Sequence, residues 1–289
     1  CIPTEYLPEF VRRVQQSMLS HGVDATYYGH CSVGVLHIRP VLNLKDPEGI
    51  KILRALEDEL SDMALEYGGA MSAEHGDGLA RSEWIPKMFG KQILRSFEQT
   101  KEAFDPNFLM NPGKIVHAPK MDENLRYGSA YQNNSLETFF TFDSEGGFQE
   151  AVELCSGVGQ CRKKLVGTMC PSYMATLEEE HSTRGRANVL RAALSGSIEG
   201  GLHNETVYQA MDLCLECKAC KSECPSNVDM AKIKYEYLAQ YYGEHGYPIR
   251  SYLFGYIRVL AKIASVFAPI SNWIAENPMN RWFLDRILG

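Results

Sequence analysis

The beginning of the chain alternates between helical and strand-like hydrophobic patterns. Residues 4–21 repeat apolar side chains at helical spacing and are followed by Gly22, which predicts an amphipathic helix. The stretch VGVLHIRPVL, residues 33–42, alternates apolar and polar side chains. This period of two predicts a strand with His37 and Arg39 on one face.

Two further helices are predicted before residue 117. Asp46 as N-cap, Pro47 in the first turn and a regular apolar stripe predict a helix that closes near Gly68. A second helical pattern covers residues 89–104 and ends before an Asp-Pro pair. Residues 1–117 therefore read as an α+β region.

The second half of the chain reads as helices joined by cysteine-bearing loops. Residues 118–147 show little periodicity and are interpreted as a linker, although LETFFTF, residues 136–142, predicts either a strand or a docking segment. We place an all-α domain at 148–245, followed by amphipathic helices at 246–289. The predicted helices cover 147–155, 183–195, 204–213, 228–242, 249–267 and 279–288.

Composition and charge narrow the class of protein. The chain has 289 residues, of which 45% are hydrophobic and 22% charged, as expected for two globular domains. The net charge of -7, without a stripe of Lys and Arg, argues against a nucleic-acid partner. The chain begins with Cys1 rather than Met and shows no signal peptide, so we expect part of a longer polypeptide.

The stretch CLECKACKSECP, residues 214–225, predicts iron–sulfur ligation. Three thiolates separated by two residues each suit three irons of one cluster, whereas zinc favours cysteine pairs separated by a longer loop; a zinc knot is the alternative. The fourth cysteine of such a run belongs to another cluster. Because Cys170-Pro171 repeats the Cys-Pro ending, we assign the first [4Fe-4S] cluster to Cys170, Cys214, Cys217 and Cys220.

The remaining cysteines of this half suggest a second cluster with one ligand missing. Cys155, Cys161 and Cys224 are left, and in CSGVGQC Val158 stands where a middle cysteine would complete the spacing. Seven of the nine cysteines fall between residues 155 and 224, a spacing that fits metal better than disulfides. We therefore expect a reducing compartment.

This cysteine pattern resembles the two-cluster helical ferredoxin domain of the iron–sulfur subunits of succinate dehydrogenase and glycolate oxidase. In the former, one site has an aliphatic residue in place of its second cysteine and holds a three-iron cluster. By that resemblance Cys155, Cys161 and Cys224 hold [3Fe-4S], or [4Fe-4S] with a non-cysteine ligand. The eight residues between Cys161 and Cys170, where the bacterial run has three, depart from the pattern.

A second set of candidate ligands lies in the first half. His30 and His37 are seven residues apart, and SAEHGDG contains the adjacent Glu74 and His75. If the loop at His30 folds back on the strand of His37, both imidazoles can meet Glu74 at a divalent ion with open positions. The alternative is a pair of structural histidines, because the tight H-x-x-x-H spacing is absent.

Three ordered motifs, GHCSVGVLH, SAEHGDGLAR and FDPNFLMNPGKI, resemble the C-terminal half of FAD-linked oxidases of the D-lactate and D-2-hydroxyglutarate dehydrogenase type, over about residues 1–117. The resemblance implies an α+β flavin-oxidase C-terminal (cap) region here, followed by the all-α helical ferredoxin domain. It also implies His30, His37 and Glu74 as ligands of a divalent metal, usually Zn²⁺, and His75 as the catalytic base. CSVGV departs from the GDGN of many relatives.

Three other residues are candidates for contacts with ligands. Arg39 is suited to clamp a substrate carboxylate, and the alternative is a solvated charge at a strand end. The family often has Asn at that position. NPGK, with Asn111 and Lys114, resembles the segment that approaches the flavin ring; the alternative is a plain turn after a helix.

The chain has no glycine-rich phosphate loop, so we expect FAD to be bound mainly by another domain of the same polypeptide. The C-terminal segment from residue 246 has five basic and two acidic residues. It suits either a membrane surface or packing on a further domain, and the second interpretation is favoured because no apolar span reaches about eighteen residues.

These observations predict a flavin- and iron–sulfur-dependent dehydrogenase that oxidises a small D-2-hydroxy acid, D-2-hydroxyglutarate or D-lactate, and passes electrons through [4Fe-4S] to an acceptor such as a quinone. One alternative is a non-catalytic electron-transfer and docking module of a larger redox complex, and another is a zinc-stapled scaffold. We expect a homo-oligomer in the cytoplasm; peripheral contact of the C-terminal segment with the inner face of the membrane is the alternative to packing on a further domain.

Overall fold

The structure is a computed structural model that describes residues 1–131 and 136–288. It divides into two compact units, Cys1–Tyr131 and Gln132–Gly289. The boundary falls within the segment interpreted as a linker, and residues 132–135 of that segment lie outside the described residues. The first unit contains α1 (Leu7–Ser20), β1 (Ala25–His30), β2 (Val35–Pro40), α2 (Pro47–Glu66), α3 (Gly78–Arg81) and α4 (Ile85–Phe104).

The core of the first unit forms between α1, α2 and one face of the sheet. Helix α1 buries the apolar stripe Phe10, Val14 and Met18 against Leu56 and Ala64 of α2. Helix α2 begins as the sequence predicts, because the Asp46 carboxylate accepts the backbone N–H of Glu48 at 3.0 Å. These two helices form a platform for the strands.

Strands β1 and β2 form an antiparallel hairpin with Tyr28 opposite His37 and Thr26 opposite Arg39. The sequence predicts β2 but not β1, whose side chains are mostly exposed. Ala25, Tyr27, Leu36 and Ile38 pack on the helical core. Because side chains alternate between the faces, the other face is left for polar residues.

Residues 1 and 2 join the hairpin turn to the loop after α2. The backbone N–H of Ile2 donates to Gly34 in the turn at 2.9 Å, and the N–H of Ala70 donates to Cys1 at 2.8 Å. Gly34 has φ of +70°, and a Cβ added there would lie 1.8 Å from the Ile2 carbonyl oxygen. The turn therefore requires glycine for both its conformation and its space.

The end of the first unit is held by one cluster of charged side chains. Arg54 of α2 bonds Glu83 at 2.6 Å and Asp122 at 3.2 Å. Glu83 also accepts the backbone N–H of Met121 at 2.8 Å. The early part of segment 118–147 therefore packs with the first unit.

Helices are the regular secondary structure of the second unit in its described residues, as the sequence predicts. The short helices are separated by loops that carry most of the cysteines, and α10 forms the longest element. The unit contains α5 (Phe148–Glu153), α6 (Pro171–Thr176), α7 (Thr183–Leu194), α8 (Glu205–Asp212), α9 (Ala219–Glu223), α10 (Met230–His245), α11 (Ile249–Gly255), α12 (Ile257–Val266), α13 (Ala268–Glu276) and α14 (Pro278–Leu288).

Segment 136–142 docks on α10, and the structure shows no strand among its residues. The backbone N–H groups of Phe139 and Phe140 each donate to the buried Glu236 carboxylate at 3.0 Å. Lys232 lies 4.0 Å from the ring centroid of Phe142. Of the two interpretations of this segment, the docking one is therefore confirmed.

The single helix predicted over 249–267 is divided into α11 and α12, α13 is not predicted, and α14 agrees with the helix predicted over 279–288. Tyr256 and Phe267 leave the helical conformation, so α11, α12 and α13 are separate. Their apolar side chains are largely exposed. Among the described residues, no single helix combines the length and apolar content of a bilayer span. Helices α12 and α13 reach that length and apolar content only together, as a pair bent by 114°.

We predict that Gly34→Ala destabilises the first unit more than Gly22→Ala does. Both glycines have positive φ, but a Cβ at Gly22 would meet nothing within 4 Å. Conformational strain alone costs about 1–2 kcal/mol, and Gly34→Ala adds the clash with Ile2. Urea unfolding followed through the fluorescence of the buried Trp84 measures the difference. Equal free energies of unfolding would contradict the predicted role of the turn.

Candidate functional site

The polar face of the hairpin gathers the histidines that the sequence singles out. Tyr28 lies opposite His37, so the two side chains project on the same face, and His30 shares that face two residues further along β1. The Tyr28 ring stacks on the His37 ring with centroids 4.6 Å apart. The Arg39 guanidinium carbon lies 4.9 Å from the centroid of the same tyrosine ring.

Glu74 comes to this face from the loop after α2. Its Oε1 atom lies 2.8 Å from His37 Nε2, 3.7 Å from His30 Nε2 and 3.5 Å from His75 Nε2. One ligand atom each from His30, His37 and Glu74 lies within 4.8 Å of the others. Nitrogen and carboxylate donors at this separation fit a divalent ion such as Zn²⁺.

A cavity of about 200 Å³ lies beside these ligands and includes His37, Glu74 and His75 in its walls. Arg39 from β2 and Arg81 from α3 also line it. Ligand pockets for drug-sized molecules are usually about 300–1,000 Å³, so this cavity favours a small ligand. Two guanidinium groups favour one that carries a carboxylate.

Sequence reasoning missed Tyr28 and Arg81 in this cavity. Tyr28 belongs to the unpredicted strand β1. The alternation in TYYGH does not identify the face on which Tyr28 lies until β1 is paired with β2. Arg81 follows SAEHGDGLA and enters through a four-residue helix too short to predict. Both residues are set by the packing around the cavity.

Asn111 and Lys114 lie on an exposed turn outside this cavity. The Asp105 carboxylate accepts the N–H groups of Leu109 and Met110 before the turn, and the N–H of Ile115 donates to Ser82 after it. The turn is therefore anchored at both ends, and it presents both side chains to the surface.

In the second unit, four cysteines line a common cavity: Cys170, Cys214, Cys217 and Cys220. Glu216 and Lys218 adopt positive φ of 54° and 61°, which curls the loop between the last three cysteines around this cavity. Cys170 is the N-cap residue of α6 and comes from a separate loop. We name this place the first sulfur site.

The first sulfur site offers N–H groups to its sulfurs. The backbone N–H groups of Met230 and Ala231, at the start of α10, are aimed at Cys220. A helix N-terminus carries partial positive charge and favours an anionic partner. Burial raises the pKa of the Cys214 and Cys220 thiols, and a bound cation such as iron would favour their thiolate forms.

Cys155, Cys161 and Cys224 line a second cavity, which we name the second sulfur site. The N–H of Arg184 donates to Cys161 Sγ at 3.3 Å. Val158 also lines this cavity, although 64% of its surface is exposed. The structure therefore brings the seven cysteines together as a group of four and a group of three.

Two buried side chains separate the sulfur sites. Met169 and Thr183 each line both cavities. The side chains of Met169 and Thr183 therefore each lie between the first and the second sulfur site. Sequence reasoning gives no role to either residue, because neither is a metal ligand of the expected kind.

The separation of the sulfurs bears on the zinc alternative. Among the described residues, the one group of three His, Cys, Asp or Glu ligand atoms within 4.8 Å of one another is His30, His37 and Glu74, with no cysteine trio. Tetrahedral zinc with Zn–S bonds of about 2.3 Å would hold its sulfurs about 3.8 Å apart. An iron–sulfur cluster instead spreads its cysteines over different irons.

Comparison with protein families gives the class of each unit. Residues 1–115 match the model of the C-terminal domain of FAD linked oxidases, and residues 154–229 match that of a 4Fe-4S dicluster domain. The chain therefore combines an FAD-oxidase C-terminal domain with a helical 4Fe-4S domain. Both resemblances drawn from the motifs, and the fold class that they imply, are confirmed.

Individual relatives cover the whole chain or its first part. It is 26% identical over 325 residues to D-2-hydroxyglutarate dehydrogenase of Escherichia coli strain K12, covering 100% of this chain and 32% of that protein. Identity is 29% over 315 residues to the Pseudomonas putida enzyme of the same name, covering 95% of this chain and 31% of the relative. D-lactate dehydrogenase of Anaerostipes hadrus is 32% identical over 117 residues, which are 40% of this chain and 25% of that protein. The chain thus spans about a third of the length of its full-coverage relatives.

We predict that Glu74→Gln weakens the binding of Zn²⁺ at the site formed by His30, His37 and Glu74. The change removes the one negative ligand while keeping the shape of the side chain. Loss of an outer-shell partner alone costs roughly 10–100-fold in metal affinity, so we expect a decrease of about 100-fold or more. Isothermal titration of the metal-free protein checks this, with the exposed Glu48→Gln on α2 as control. An unchanged dissociation constant would count against the site.

Proposed function

We propose that this chain supplies the substrate side and the electron-transfer domain of an FAD-dependent dehydrogenase of D-2-hydroxy acids, with D-2-hydroxyglutarate or D-lactate as substrate. The observation that carries the proposal is the cavity where His75, Glu74 and Arg39 meet. The relatives named D-2-hydroxyglutarate dehydrogenase align with both domains and support the same reaction.

In the proposed reaction, the residues of the cavity hold the substrate and move its hydroxyl proton. Arg39 binds the carboxylate through its guanidinium fork. His75 accepts the hydroxyl proton as the carbon–hydrogen bond breaks, and Glu74, 3.5 Å away, stabilises the imidazolium that forms. A divalent ion held by His30, His37 and Glu74 would lower the pKa of the hydroxyl. FAD would take the hydride.

The second unit would carry the electrons away one at a time. A hydride brings two electrons, whereas iron–sulfur clusters accept single electrons, so the two sulfur sites suit a relay. We assign Cys170, Cys214, Cys217 and Cys220 to one [4Fe-4S] cluster. Cys155, Cys161 and Cys224 would hold the second, as [3Fe-4S] or as [4Fe-4S] with a non-cysteine ligand.

Other parts of the proposal concern partners. We propose that Asn111 and Lys114 meet the flavin, since their turn is exposed and rigidly anchored. We also predict an electron acceptor such as a quinone, a homo-oligomeric state and a cytoplasmic location. Peripheral contact with the inner face of the membrane is the alternative role of the C-terminal segment. The exposed apolar side chains of α11–α14 suit contact with another surface.

We predict that His75→Ala strongly slows oxidation of the hydroxy acid in the polypeptide that also carries the FAD-binding part. Loss of a general base costs roughly 10²–10⁴-fold in kcat. Stopped-flow reduction of the flavin by substrate measures this step. His21→Ala is the matched control, because His21 pairs with Glu59 on the α1–α2 surface at 2.8 Å. Flavin reduction at the rate of the unchanged protein would favour the non-catalytic docking module.

We predict that Val158→Cys converts the second sulfur site from a three-iron to a four-iron cluster. The new thiolate would complete the ligand set in the loop that lines the cavity. Iron analysis and the loss of the electron paramagnetic resonance signal of oxidised [3Fe-4S] check the outcome. Val166→Cys is the control, since Val166 has the same 64% exposure. Unchanged iron content would point to [4Fe-4S] with a non-cysteine ligand.

A further inference from the structure

Arg186 on α7 is a fully buried cation beside the first sulfur site. Its surface exposure is 0%. The guanidinium donates to the carbonyl oxygens of Ala210 at 2.8 Å and His181 at 2.7 Å, and to the Ser172 hydroxyl at 3.0 Å. Its Nη1 atom also lies 3.5 Å from Cys170 Sγ. The side chain is therefore fixed with one edge toward a proposed cluster ligand.

No carboxylate within the described part of the chain forms an ion pair with Arg186 at 4.0 Å or less. Carbonyl and hydroxyl oxygens satisfy its hydrogen bonds but leave its charge in place. An isolated charge in a protein interior is costly unless a partner of opposite sign is near. The nearest candidate is the thiolate of Cys170 and whatever that thiolate binds.

Neighbouring cations differ from Arg186 in carrying carboxylates of their own. Lys234, which also lies close to the first sulfur site, pairs with Glu216 at 3.2 Å. Arg184, on the same helix but beside the second site, pairs with Glu179 at 2.7 Å. In both cases the carboxylate offsets part of the positive charge, so the net field on the adjacent sulfurs is smaller than that of an unpaired cation.

We propose that Arg186 is the residue that raises the reduction potential of the cluster at the first sulfur site. Four thiolates give a [4Fe-4S]²⁺ core a net charge of minus two, and one added electron makes it minus three. A fixed buried cation beside Cys170 stabilises the more negative form more than the other. Arg186 thereby favours transfer of single electrons from the reduced flavin onto this cluster.

The assignment of the four cysteines to one cluster underlies this inference, and two readouts separate the questions. Iron and sulfide content reports whether the cluster is bound. The midpoint potential, from a redox titration followed by electron paramagnetic resonance, reports how easily it is reduced. The component that Cys217→Ser alters identifies the first site.

Arg186→Gln should lower the midpoint potential of that component, because it removes the charge and keeps part of the hydrogen bonding. We expect at least a tenfold change in the one-electron equilibrium, which corresponds to about 59 mV. Arg186→Lys keeps the positive charge and should therefore retain most of the original midpoint potential. Arg184→Gln is the matched control on the same helix and should leave this component near its original value.

Two results would overturn the proposal. The first is an unchanged midpoint potential in Arg186→Gln protein that retains its iron, or an equal shift in Arg184→Gln. The second is loss of iron in both Arg186→Gln and Arg186→Lys, because the residue would then act through its shape and not through its charge. Loss of iron in Arg186→Gln together with full iron and normal potential in Arg186→Lys would support the role of the charge.

Discussion

The second unit depends on the approach of seven cysteine sulfurs to two neighbouring cavities. Its helices are short, from five residues in α9 to sixteen in α10, and helices of this length are marginal by themselves. Three of the connections between them, α5–α6, α8–α9 and α9–α10, carry proposed ligands, and Cys220 lies within α9. Metal binding to such a set contributes directly to folding, so the cofactor and the fold are thermodynamically coupled.

The first unit places basic and acidic groups around a small open cavity. Most of the rigidity comes from α1 and α2, which pack against the apolar face of the hairpin. Glu74 and His75 lie on the loop after α2, which is held by the hydrogen bond from the Ala70 N–H to Cys1. A rigid platform with functional loops is a common way of positioning ligands without rebuilding a core.

The sequence predicts much of this arrangement because its signals are local. The Asp46-Pro47 helix start, the C-x2-C-x2-C spacing and the strand around His37 each follow from a few adjacent residues. Strand β1, the cation Arg186 and the separating pair Met169 and Thr183 could not be predicted in the same way. Their roles come from packing between segments that are far apart in the chain, and a mostly polar strand or an arginine within a helix has no distinctive local pattern.

The two faces of the hairpin link the stability of the first unit to its chemistry. Successive side chains point in opposite directions, so Leu36 and Ile38 face the core while His37 and Arg39 face the cavity. A single inserted or deleted residue within β2 would exchange these roles, burying an imidazole and a guanidinium and exposing the aliphatic pair. Substitutions within this strand therefore disturb the separation of core and cavity less than a change of one residue in its length does.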